Sequence, residues 1–129
     1  KRIVEISSKS YLDNDTGTEP HCDISELYKN NNGVLILSGS VQSLFGKLFD
    51  KGRFAEIHNI YKKISYNFVD RFYLEIQRHG DLNEKIFEKY NLQKSNELKI
   101  PIIATNEVFY LNKPVYRVLS IRWLLSLEM

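Results

Sequence analysis

Any chemistry in this chain has to come from three short polar runs, each closing an apolar stretch. They are Ser38-Gly39-Ser40 after VLIL, Glu75 to His79 within and after FYLEI, and Thr105-Asn106-Glu107 after PIIA. Carboxylates, imidazoles and hydroxyls are the groups that ligate metals or move protons. On that reading Glu75, His79 and Glu107 are metal ligands or acid/base groups. A plainer reading stands beside it: Arg78 pairs with a carboxylate, and Asn106 and the other polar groups cap strand ends. Under either reading Glu75, lying inside its strand, needs a partner, because an unpaired buried carboxylate is costly.

The remaining candidates are weaker. SGSVQSLFG contains Gly39 and Gly46 but is not followed by Gly-Lys-Ser/Thr, so it is no Walker loop. His21 and Cys22 are adjacent, and neighbouring side chains rarely converge on one zinc. His58 falls within a helical pattern and reads as a surface residue. Lys47, Lys51, Arg53, Lys62 and Lys63 form a basic helical face, read as a solvated one.

A parallel sheet is what brings the three runs together. Val34 to Leu37 are continuously apolar, as in a strand buried on both faces. RFYLEIQ and PIIATNEV supply the second and third strands. Strand starts near residues 34, 72 and 101 leave room for a crossover helix in each gap. Two consecutive βαβ units imply parallel pairing, with all C-terminal strand ends on one rim. Around them the pattern predicts a helix over residues 3–12, with Ile3, Ile6 and Ser10 on one face. A second helix, ISELYK, is opened by a capping box of Asp23 and Glu26. Two amphipathic helices follow between Val41 and Ile64, broken at DKGR. A further helix is opened by Asp81 and Glu84, with Leu82, Ile86 and Tyr90 on one side, and a last one follows the third strand.

Composition bounds the class and not the activity. With 129 residues, 43% hydrophobic and 26% charged, the chain reads as one globular domain with a real core. Net charge is +2, too even for nucleic-acid binding by electrostatics alone. A single Cys22 excludes an internal disulfide and favours a reducing compartment. Glu5 and Lys9 interrupt the early apolar run, so no signal peptide or membrane span is expected. The chain opens on Lys1 and not on Met, the expected mark of a fragment boundary.

Three longer motifs carry a resemblance. GVLILSGSVQSLFGKLFDKGRF, FYLEIQRHGDLNEKIFEKY and IPIIATNEVFYL, in this order and spacing, resemble the bacterial DNA polymerase III alpha subunits. The matching part is the C-terminal half of their N-terminal PHP (polymerase and histidinol phosphatase) domain, over roughly residues 1–113. The family forms are Leu-Ser-Gly-Cys, Tyr-Leu-Glu-Leu-Gln-Arg-His-Gly and Ala-Thr-Asn-Asp-Val-His-Tyr. The resemblance implies an α/β fold whose parallel βαβ units form the later part of a distorted (βα)7 barrel.

The same resemblance implies a degenerate site. In an intact PHP domain, His, Asp, Glu and Cys groups of the rim hold divalent metal, and an opening His-x-His motif lies upstream. Here the Cys position is Ser40, the Asp position is Glu107 and the His position is Phe109. A hydroxyl is a poor substitute for a thiolate, and a phenyl ring cannot ligate. The implied role is a scaffolding segment of a cytoplasmic, DNA-directed DNA polymerase, a nucleotidyltransferase whose palm carboxylates lie elsewhere, so this segment has no polymerase activity by itself. Its implied partners are the rest of the alpha subunit and, in some members, the proofreading exonuclease. DNA is reached through the parent enzyme only, and no membrane is involved. Residues 114–129 depart from the family and read as a divergent apolar helix. Two other readings stay open, a metal-dependent PHP-type phosphoesterase and a small α/β interaction module. With two of three ligand positions altered, no cofactor is expected, and the dialysed chain should retain no transition metal. Stoichiometric zinc or manganese by elemental analysis would instead favour the phosphoesterase.

Overall fold

The computed structural model describes residues 2–14, 17–18, 20–29 and 31–106. The elements are α1 (Arg2–Leu12), α2 (Ile24–Lys29), β1 (Ile36–Leu37), α3 (Leu44–Asp50), α4 (Phe54–Phe68), β2 (Phe72–Ile76), α5 (Glu84–Leu98) and β3 (Ile102–Ala104). Glu107, Phe109 and the expected C-terminal helix over 114–129 lie outside the described residues.

The sheet has the order β1-β2-β3, and both pairings are parallel. Ile36 stands opposite Phe72, and Leu74 opposite Ile102. Phe72 and Leu74 are buried, and their face meets α3, α4 and α5 through Phe45, Leu48, Ile57, Tyr61, Ile64, Phe68 and Phe87. The helices form because their apolar residues recur at helical spacing. Ile57, Tyr61, Ile64 and Phe68 make one stripe of α4, and all four are buried. Tyr61 is clasped between Phe45 and Phe72, with ring centroids at 4.7 and 5.7 Å. A second aromatic group gathers Phe54, Phe87 and Tyr90 around Phe49. The α3–α4 break falls where DKGR predicts it, with Gly52 at φ 69° in the left-handed region.

Several local expectations are corrected. β1 is two residues long, and Leu35 and Leu37 are exposed at 55% and 37%. Their apolarity thus does not mark a strand covered on both faces by the described residues. At α2, Asp23 does cap, accepting the Ser25 N–H at 2.7 Å. Glu26 does not complete the box and binds Lys9 and Lys29 instead, each at 2.8 Å. At α5, Glu84 accepts the Asp81 N–H, but the residue next to the helix is Asn83, with φ 66° and no side-chain cap bond. The inward face of α5 is Phe87 and Asn91, while Leu82 and Ile86 are exposed. Of the basic face, Arg53 pairs with Glu56 and Lys63 lies over the Tyr28 ring. His58 is only partly exposed, between Lys94 and Glu97 of α5.

α3 is tied to its entry turn by close approach. Ser43 caps it by accepting the Gly46 N–H. Gly46 is buried, and a methyl group on its Cα would fall on the Val41 carbonyl. Backbone cannot yield as a flexible side chain can, so Gly46→Ala should cost about 2–3 kcal/mol by overpacking. Urea denaturation, with exposed Lys47→Ala as control, checks the size of that loss.

Candidate functional site

The three polar runs follow the C-terminal ends of β1, β2 and β3, which parallel pairing sets along one rim. β1 runs out of backbone first. The Ser38 N–H still bonds the Tyr73 carbonyl at 3.0 Å. The Glu75 N–H, next along β2, is met by the Ser38 hydroxyl at 2.9 Å. Ser38 is 3% exposed and Glu75 8% exposed, so this bond is formed away from water. Deeper in the core, the Tyr61 hydroxyl donates to Asn91 Oδ1 at 3.0 Å. Burial pushes the Tyr61 phenol well above its ordinary pKa, so it stays a neutral donor.

The Glu75 carboxylate faces across the strands. Its Oε1 accepts from the Thr105 hydroxyl and, at 2.9 Å, from Gln77 Nε2. Gln77 Nε2 also reaches Thr105 Oγ1 at 3.1 Å, closing a three-membered polar cluster over β2 and β3. That cluster supplies the partners a buried carboxylate requires.

The remaining rim residues diverge. Arg78 turns toward α5 and forks onto Glu88, with contacts of 3.1 and 2.8 Å. This is the carboxylate pairing of the plainer reading, made with a helix residue and not with Glu75. The His79 N–H joins those of Gly80 and Asp81 on Glu84 Oε2, at 2.8, 2.9 and 3.1 Å. Desolvation pushes Glu84 upward, but these three donors hold its pKa below the usual value. Asn106 is exposed and lines an open cleft with Ile76, Arg78, Ala104 and Thr105. Among the described residues, no three His, Cys, Asp or Glu side chains converge in a metal-ligating group.

The sequence placed Ser38, Gln77 and Thr105 on the rim without assigning them as the partners of Glu75, and it missed the buried Tyr61–Asn91 pair. Asn91 had a readable signal. It lies four residues after Phe87 on the buried stripe of α5, where a polar residue must find a partner.

The family profile of the PHP domain matches residues 1–79, which include the Ser38–Glu75 junction. The chain belongs to the PHP domain family. DNA polymerase III subunit alpha of Haemophilus influenzae is 33% identical over 124 residues, 95% of this chain and 10% of that protein. The Caulobacter vibrioides protein of the same name is 30% identical over 114 residues, covering 88% of this chain and 10% of its own. That of Vibrio cholerae is 27% identical over 122 residues, again 95% and 10%. The chain spans about a tenth of the length of these relatives.

In this PHP chain Ser40 sits in the turn between β1 and α3. Its hydroxyl lies 3.4 Å from the Gln42 N–H, and its carbonyl accepts the Ser43 N–H at 3.0 Å. Ser38, two residues earlier, has the larger structural task. Ser38→Ala leaves the buried Glu75 N–H without an acceptor and should cost about 1–3 kcal/mol. Ser38→Thr, which keeps the hydroxyl, should recover part of that loss. Denaturant midpoints of the two variants measure the difference.

Proposed function

We propose that this chain is the later part of a PHP domain in a DNA polymerase III alpha-type subunit, serving there as a scaffold. The carrying observation is the alignment of 95% of the chain with one tenth of the Haemophilus influenzae subunit at 33% identity. The parallel sheet with helices on its core face supports a place in a (βα)7 barrel, whose further strands would come from outside this chain. The rim chemistry supports a structural task. Glu75 is engaged by Gln77 and Thr105, Arg78 by Glu88, and the Ser40 hydroxyl faces its own turn. Ser40, Glu107 and Phe109 occupy the altered ligand positions. The partner of this scaffold is the rest of the alpha subunit, with the proofreading exonuclease a further one. DNA is met by the polymerase body, and the setting is cytoplasmic.

Grafting residues 1–113 into the aligned segment of the Haemophilus influenzae subunit tests this reading. The chimera should extend primers within about threefold of the parent, a change of roughly 0.65 kcal/mol in activation free energy. Restoring Ser40→Cys, Glu107→Asp and Phe109→His together should raise its metal content. A soluble, folded chimera that no longer extends primers would refute the scaffold role. Metal-dependent phosphoesterase activity of the unrestored chimera would refute the degenerate site.

A further inference from the structure

α5 divides its charges between two sides. Its carboxylates are all occupied on the flanks. Glu84 gathers three backbone N–H groups, Glu88 takes the Arg78 fork, and Glu97 takes Lys94. Lys85, Ile86, Lys89 and Leu92 remain, spaced so that these four share the outward face, and Leu82 lies just ahead of the helix. Leu82 is 88% exposed, Ile86 59% and Leu92 45%. Lys85 and Lys89 have no ion-pair partner among the described residues.

Two features of this face are unfavourable in isolation. Lys85 and Lys89 are like charges four residues apart on a helix, a mildly destabilising pair. Leu82 stands just before the residue that opens the helix, where an apolar side chain commonly packs back onto the first turn. Here the natural recipient, Phe87, is buried at 3% exposure, while Leu82 points to solvent. Asn83 at φ 66° forms the bend between them. Lys85 shares a cleft with Glu84 and Glu88, but those carboxylates are engaged elsewhere, and apolar groups flanking two lysines without ion pairs match an apolar ridge bearing carboxylates.

We propose that the outward face of α5 docks an acidic amphipathic helix from a partner protein. The partner's apolar ridge rests on Leu82, Ile86 and Leu92, and its carboxylates meet Lys85 and Lys89. The inference does not rest on the polymerase reading, since it uses only the composition and exposure of this helix.

The test uses two fluorescein-labelled helical peptides and the 129-residue chain. One peptide carries Leu at helical spacing separated by Glu, and the other has Lys in place of each Glu. By fluorescence anisotropy the acidic peptide should bind at least about tenfold tighter than the basic one. Lys85→Glu with Lys89→Glu should reverse that preference, and Ile86→Ser should weaken the acidic peptide by about tenfold. Circular dichroism confirms that each variant is folded. Equal binding of both peptides, no binding of either, or an unchanged preference in the double variant would overturn the proposal. So would a dimer of the chain that Ile86→Ser abolishes and the acidic peptide does not displace.

Discussion

The central strand, β2, is paired on both edges, and everything else depends on how that pairing ends. A parallel ladder leaves a donor unmet wherever one strand stops before its neighbour, and a buried unmet N–H costs as much as a lost hydrogen bond. β1 stops early, and the Ser38 hydroxyl stands in for the missing acceptor of Glu75. Beneath that junction, Tyr61 donates to Asn91, which ties the aromatic core to α5. Tyr61 is held between Phe45 and Phe72, so one side chain serves both this buried polar bond and the apolar core.

That constraint bears on how the rim is read. Polar groups at strand ends are compatible with catalysis, but they are equally the consequence of closing a sheet. Glu75 shows the second cause in operation: its Oε1 is held by two neighbours across β2 and β3. Arg78 and His79 follow directly in sequence yet leave the cluster, one for Glu88 and the other into the turn ahead of α5. Arg78 and His79 lie beyond Ile76, the last residue of β2, where the chain turns toward α5 and the ladder no longer holds it. A site proposed from a contiguous polar run thus overstates the number of groups that can meet.

α5 is where the fold meets the outside with least commitment. Its inner face is fixed by Phe87 and Asn91, and its acidic flanks by Arg78, Lys94 and the preceding turn. Among the described residues, the lysines of its outer face make no ion pair. Exposed apolar groups are common singly, and carry information when they line one face with charge of one sign.

The sequence by itself determined the α/β class, the positions of β2 and β3, the α3–α4 break and the parallel order. These follow from periodicity and from the lengths of the gaps, which are local or topological properties. It also carried the family: the match over residues 1–79 takes in the first motif and the start of the second, and the related subunits align over 88–95% of the chain. The positions of Glu107 and Phe109, and the expected helix over 114–129, belong to the sequence alone. Only the tertiary structure decided which face of α5 turns inward, since Ile86 and Phe87 are equally apolar and one residue of phase separates them. It alone assigned Glu26 to two lysines and not to a capping box, because Lys9 approaches from another helix. The partners of Glu75 were out of reach for the same reason. Ser38 and Thr105 lie far from it along the chain, and only strand pairing makes them neighbours.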